Sequence, residues 1–347
     1  MEILTTIWFV AIAALWIGFL VLEGFDLGVG MHILFSGRSD LQRRVMLNTI
    51  GPVWDGNEVW LITAIGATFA AFPFWYSSLL SALYLPMIFV LLGLIFRAVA
   101  IEYRGKGSTD RWRRGWDAAL GLGSLVAAFG IGATLALTTT GLPLNANGDR
   151  VGGAFAWFTP WAIVGGLAVV GFALAHASVF LALKTDGPVR TAGQRFADVA
   201  GPIALLPLAV WLFGVQVRTG SAVTWVVAVL AVLVAGGAWI ANRAGREGWA
   251  FIGLGLGLAL TVAAIFGASY PVVLPSTIDP RFDLTVANAS SAPYTLSVMS
   301  IVASFGVPLV LGYQAWTYWV FRKRVSATQL PAAHPVVAAV RPRLEQH

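Results

Sequence analysis

The 347-residue chain has no cysteine and little charge: Asp, Glu, Lys and Arg together make up 11% of it, less than half the share usual in a water-soluble domain. Without cysteine it can form no disulfide, thiolate metal site or iron–sulfur cluster of its own. A Walker A run with its Lys and Ser/Thr is also missing, which excludes ATP-driven transport by this chain alone. The glycine-dense run GFDLGVG (residues 24–30) follows no strand and so is no dinucleotide fingerprint. Its Gly24, Gly28 and Gly30 instead suit close approach of another helix.

What the chain has in excess is apolar surface. Apolar residues make up 58% of it, with 38 Gly and 15 Trp. Membrane helices use small residues to pack closely and tryptophans to anchor at the lipid interface. A span requires about 20 mostly apolar residues to cross a hydrocarbon core about 30 Å thick. Nine stretches qualify, near residues 6–35, 50–72, 75–101, 117–138, 157–183, 199–217, 222–242, 249–269 and 293–321. The first is too long and too polar near its end to be a cleaved leader and reads as a permanent span.

The expected fold is therefore an all-α polytopic membrane protein, with a transmembrane domain over residues 1–325. The Gly51-Pro52 pair at the start of the second span is echoed by Gly201-Pro202 at the start of the sixth. This echo suggests two four-helix bundles plus one peripheral helix. The tail, 326–347, carries Pro331, Pro335 and Pro342 and has no apolar stripe, a composition that predicts disorder. The loop from Pro271 to Ala292 is the longest on its face and is expected to fold over the bundle.

The formal charge of +6 is explained by topology and not by nucleic acid. The odd-numbered loops and the tail hold Arg38, Arg43 and Arg44; Arg104, Lys106, Arg111, Arg113 and Arg114; Lys184, Arg190 and Arg195; Arg243 and Arg246; and Arg322, Lys323, Arg324, Arg341 and Arg343. The even-numbered loops hold only Arg150, Arg218 and Arg281, and Arg97 falls within a span. Basic residues stay cytoplasmic, so the N-terminus is expected outside and the C-terminus inside.

Ionisable groups at bilayer depth are costly and call for an explanation. Glu23 and Asp26 lie three apart on the first span, Asp55 and Glu58 three apart on the second, and Arg97 near the end of the third. Each acid pair is expected on one helical face, and the topology puts all five groups in one cytoplasmic layer. Four carboxylates cannot all ionise cheaply against one guanidinium, so the layer is expected to exchange protons. The structural alternative is that Arg97 pairs with one acid while the others bond to backbone or to Asn57 and hold three helices together. Met31, His32 and His176 could in principle ligate haem, but a lone intramembrane histidine more often bonds helix to helix. Trp54 and Trp60 flank the acids of the second span as packing residues or as walls of a ligand path.

The runs LEGFDLGVGM (22–31) and GPVWDGNEVWLITAIGATFAAFPFWY (51–76) resemble subunit II of the cytochrome bd family of quinol oxidases. FRAVAIEYR (96–104), RWRRGWD (111–117) and the segment from Tyr270 through LTVANASSAPYTL to Met299 extend the resemblance to Arg324, while residues 140–250 match only in hydropathy. It implies a heterodimer with a homologous subunit I in a bacterial plasma membrane. That partner would carry haems b558, b595 and d and oxidise quinol, and subunit II would bind no haem. The resemblance leaves open a structural quinone and small single-helix accessory subunits. Asp55 matches the family's acid in the WDGN motif, placed on a proton path toward the oxygen-reducing haem, and Trp60 matches a position near an oxygen route. Glu58 stands where the family pattern has Gln, so its part rests on chemistry alone. The short turn after Arg218 is a second departure.

The leading expectation is a non-catalytic subunit that conducts protons inward through Asp55, with Asp26, Glu23 and Glu58 as relays and Arg97 as their charge partner. A proton-coupled secondary transporter is the alternative, with the same acids binding coupling ions. It would be expected to show paired broken helices at the midplane, whereas these acids lie nearer the cytoplasmic face.

Overall fold

Long apolar runs with capped ends set the helices of this chain. The computed structural model describes residues 2–107 and 109–329; the expected disorder of the tail falls, from residue 330 on, outside them. The chain begins with α1 (Glu2–Phe35), a short α2 (Asp40–Ile50), α3 (Trp54–Ala71), α4 (Pro73–Ala82), α5 (Tyr84–Tyr103) and α6 (Asp110–Thr140). Then follow α7 (Pro160–Lys184), α8 (Gly187–Val199), a single turn α9 (Gly201–Ala204), α10 (Leu206–Thr219), α11 (Ala222–Arg243), α12 (Glu247–Ser269) and α13 (Pro293–Val320). Side-chain oxygens of Thr109, Thr159 and Ser221 cap the first turns of α6, α7 and α11, satisfying amides that would otherwise be unpaired.

Among the described residues, eight helices are long and apolar enough to cross a membrane. The expected span missing from these eight is the second, and the reason is physical. Its helix, α3, has 18 residues and opens on Trp54, Asp55, Asn57 and Glu58, so its first turn is polar. The third expected span is divided. Pro73 starts α4 as a first-turn proline, the chain breaks at Leu83, and the long helix α5 begins only at Tyr84.

Two short amphipathic helices occupy regions expected to be loops. In α2, Ser39 Oγ accepts from Gln42 N at 3.2 Å, and Val45, Met46, Thr49 and Ile50 are buried. In α8, Val189, Gly193 and Ala197 are buried at helical spacing. Each short helix leads into one of the echoed Gly-Pro pairs, and the two pack against each other.

α1 packs on α3, α6 and α7, and α5 packs on α6; α7 packs on α6, α10 and α12, and α11 on α12. Lipid is as apolar as leucine, so such contacts depend on close fit. A Cβ at Gly28 would collide with the Ala173 carbonyl oxygen and the Ala177 methyl, and Gly132 and Gly165 face each other across α6 and α7 in the same way. Gly30 abuts Ser124, and Gly24 lies against the Phe172 ring. The close-packing expectation for the GFDLGVG run therefore holds most tightly at Gly28. α13 is largely exposed and is held at one end by Trp8 Nε1, which donates to Leu296 O at 3.2 Å and to Ser300 Oγ at 3.1 Å.

Two loops meet at one end of the bundle. β1 (Val272–Leu274) pairs antiparallel with β2 (Leu284–Thr285). Leu142 N donates to Pro275 O at 3.1 Å and Ser276 Oγ to Leu144 O at 2.7 Å. Leu142, Leu144, Leu274 and Leu284 are buried beneath, so the 271–292 segment does close over the bundle. Replacing Gly132 with Leu is expected to cost at least the ~1–3 kcal/mol of an overpacked core. It should reduce the fraction of folded protein surviving a heat step in size-exclusion chromatography, while Leu at exposed Gly105 should not.

Candidate functional site

Where α1, α3 and α5 converge, Arg97 lies fully buried. Its Nη2 meets Glu23 Oε1 at 2.7 Å and its Nη1 donates to Glu58 Oε2 at 3.1 Å. The guanidinium also faces the Trp54 ring at 5.9 Å. Glu23 is fully buried like its partner, whereas the Glu58 side chain keeps 19% exposure. A cation this deep is stable only because two carboxylates surround it.

Asp26 joins the cluster through a different residue. Asn57 Nδ2 donates to Asp26 Oδ2 at 2.6 Å, and the Asn57 carbonyl oxygen accepts from Gln314 Nε2 at 2.8 Å and from Tyr318 Oη at 2.9 Å. Asn57 therefore ties α1, α3 and α13 to one point. Glu23 Oε2 and Asp26 Oδ1 are buried without a hydrogen-bond partner, two acceptor atoms that a proton on either carboxyl could serve.

The four acids expected in one layer thus do not behave alike. Glu23, Asp26 and Glu58 meet around Arg97 and Asn57, but Asp55 is exposed on the first turn of α3. The pair Asp55 and Glu58, expected on a single face, is split: Glu58 turns inward to the guanidinium and Asp55 stays at the surface. Trp60 lies over Gly18 of α1, where a Cβ would strike its ring. Gln314 and Tyr318 were not foreseen; the signal was a glutamine inside an otherwise apolar ninth span, one helical turn before a tyrosine.

The two intramembrane histidines are held in different ways. His32 engages both ring nitrogens, Nδ1 with Ser36 Oγ and Nε2 with Leu174 O, each at 3.0 Å. His176 is fully buried and stacked between Phe172 and Phe251, with ring centroids 5.0 and 4.3 Å away, and both its ring nitrogens are buried without a hydrogen-bond partner. Among the described residues no group of three or more His, Asp or Glu is placed to hold a metal ion.

A second charged network lies at the α2 end of the bundle. Arg104 holds Asp117 at 2.5 Å and Asp40 at 2.8 Å, Arg43 holds Asp117 at 3.0 Å, and Arg113 approaches Asp40 at 3.5 Å. Its counterpart joins Arg190 to Glu247 at 2.6 Å and Arg324 to Asp186 at 3.1 Å. Partial burial would raise the Asp40 carboxyl, but the hydrogen bond from Arg104 and the charges of Arg104, Arg113 and Arg43 outweigh it and hold Asp40 below the usual carboxylate range.

The model of the family described as cytochrome bd terminal oxidase subunit II matches residues 4–321. The chain is 41% identical over 332 residues to cytochrome bd ubiquinol oxidase subunit 2 of Bacillus subtilis, covering 94% of this chain and 98% of that protein. It is 34% identical over 363 residues to cytochrome bd-I ubiquinol oxidase subunit 2 of Escherichia coli K12, covering 94% and 96%. Among solved structures, the bd oxidase from Geobacillus thermodenitrificans matches with a TM-score of 0.71 over 92% of this chain and 99% of the matched chain. At 19% identity that likeness concerns the fold.

Two outcomes follow from the charged networks. Arg97→Met leaves Glu23 without its buried partner and is expected to destabilise the protein by about 3–5 kcal/mol, read as a lower midpoint in thermal unfolding of the purified complex, with Arg97→Lys falling between. Asp40, with its folded-state value depressed, stabilises the fold above the unfolded value near ~3.9 and loses that contribution as pH falls through the folded value. Melting temperature followed from about pH 5 to pH 3 should therefore drop less steeply in Asp40→Asn than in the parent; equal slopes would remove Asp40 from the acid sensitivity.

Proposed function

Because the chain belongs to the cytochrome bd terminal oxidase subunit II family, we propose that it is the haem-free partner of a haem-bearing subunit I. In this reading its buried acids carry protons from the cytoplasm toward the site of oxygen reduction. The observation that carries the proton role is the Arg97 cluster: one buried guanidinium between Glu23 and Glu58, with Asp26 joined through Asn57. Arg97 stays charged, so the net charge of the cluster is set by how many protons its carboxyls hold. A group of three acids around one fixed cation can accept and release a proton without ever presenting a bare charge to lipid.

The geometry suggests a direction. Asp55 is exposed and Glu58 partly so, and they form the accessible edge of the cluster. Glu23 and Asp26 are its interior. Protons are exchanged at the edge and held inside, and Arg97 and Asn57 keep the acids in register through the cycle. Haems b558, b595 and d in subunit I would supply oxygen binding and electron transfer. Reduction of oxygen to two waters consumes four protons and four electrons, and two quinols supply those electrons while releasing their own protons. With the N-terminus outside, as the loop charges favour, uptake on the inner face and release on the outer would generate a proton-motive force across the plasma membrane. Trp60 is assigned to the wall of an oxygen route, and the family opens room for a structural quinone and accessory single-helix subunits. A proton-coupled transporter would draw on the same acids, but family membership favours the oxidase.

Asp55→Asn is expected to lower quinol-driven oxygen consumption by about tenfold or more, within the range of a lost proton-transfer group, while the haem absorbance of the purified complex stays near normal. Unchanged turnover in an intact complex would take Asp55 out of the path.

A further inference from the structure

At the end of the bundle where α4 meets α5, the loop between α6 and α7 closes over a cavity of about 440 Å³ whose walls include Ser81, Tyr84, Pro86, Arg150 and Trp157. Two donors there have nothing to donate to: Arg150 Nε and Trp157 Nε1 are buried and make no hydrogen bond. Arg150 gives its Nη1 to Gly153 O at 2.7 Å and forms no ion pair among the described residues. Asp149, next in the chain, is exposed and does not neutralise it. Buried donors without acceptors are uncommon in folded proteins, and one of these two belongs to a half-buried guanidinium that no anion among the described residues neutralises.

A second cavity of about 350 Å³ continues the first, with Pro86 and Trp157 in both walls. It runs as an apolar trench between α5 and α6, past Phe89 and from Leu137 to Leu125. Those last two lie about twelve residues apart, roughly 18 Å at 1.5 Å per residue, close to the ~15 Å depth of one leaflet. A cationic head pocket opening into a trench one leaflet deep has the shape and polarity of an amphiphile site. A free anion would leave the trench unfilled, and an apolar chain alone would leave both donors unpaired.

We propose that this is a phospholipid site, with the lipid phosphate accepting from Arg150 Nε and Trp157 Nε1 and one acyl chain lying between α5 and α6. The loop between α6 and α7, the α4–α5 break and the α5–α6 seam are then joined by the lipid as well as by protein contacts. The site shares no lining residue with the acid cluster and is independent of the proton reading.

The test is native mass spectrometry of the intact complex, stripped of lipid in detergent and titrated with phosphatidylglycerol. Arg150→Gln is expected to weaken one binding step by about tenfold or more, the loss of one charge-assisted hydrogen bond. Trp157→Phe, which keeps the ring and removes the N–H, should weaken the same step to a smaller extent. Added inorganic phosphate should not displace the lipid, and oxidase turnover of both variants should stay at the parent level. Identical titrations for parent and variants would overturn the proposal, as would displacement by inorganic phosphate. Absence of any lipid-bound parent complex would assign the trench to a segment of the partner subunit and overturn it equally.

Discussion

A guanidinium that cannot lose its proton, buried where three helices meet, constrains everything around it. Arg97 must be matched by negative charge, and it is matched twice, by Glu23 of α1 and Glu58 of α3. That requirement brings α1, α3 and α5 into one arrangement. It also explains why the polar first turn of α3 is tolerated: its carboxylate and amide have partners in the neighbouring helices. Asn57 extends the constraint outward. By donating to Asp26 and accepting from Gln314 and Tyr318, it secures the C-terminal part of α13, a helix with so little buried surface that apolar packing alone would hold it weakly.

Away from that cluster the packing is governed by the absence of water. Among helices in lipid, apolar burial offers little net gain, and the contacts that hold are those where backbones approach closely. Gly28 against Ala173, and Gly132 against Gly165, place α7 at the centre of the fold in contact with both α1 and α6. Hydroxyls are treated in the same spirit. Thr134, Thr138, Thr139 and Thr140 of α6 return their hydrogen bonds to carbonyls three or four residues earlier, so none of these four buried hydroxyls is left unpaired.

How much of this is legible in the sequence depends on whether a feature is local. Most of the long helices follow from runs of apolar residues, and the close-packing glycines of residues 24–30 can be read from their spacing. The α3 region is harder, because hydropathy averages a polar functional turn with an apolar stem, and the proline at 73 and break at Leu83 shift the next long helix by nearly a helix length of α4. The helices α2 and α8 escape notice because short amphipathic segments have the composition of loops; only the Gly-Pro echo that follows each hints at a shared plan. Asn57 could be named as a neighbour of the acids, but Gln314 and Tyr318 lie more than 250 residues away, and no local pattern announces such a partnership. The exposure of Asp55 is likewise a tertiary fact: i and i+3 on a helix share a face, yet the edge of that face can be surface for one residue and interior for the next.

The division among the acids bears on the proton relay proposed for them. A proton relay needs groups that exchange with water or a partner and groups that do not, held at fixed separation. In this chain the two kinds differ by one helical turn: Asp55 is exposed, Glu58 bridges surface to interior, and Glu23 is closed off on the far side of Arg97. The same guanidinium that makes the interior acids affordable also prevents them from drifting apart, so stability and the proposed conduction rest on one residue. The proposed relay could not be strengthened by better packing without losing its exchangeable edge, and the structure has an accessible acid at the surface of the bundle and an anchor at full depth.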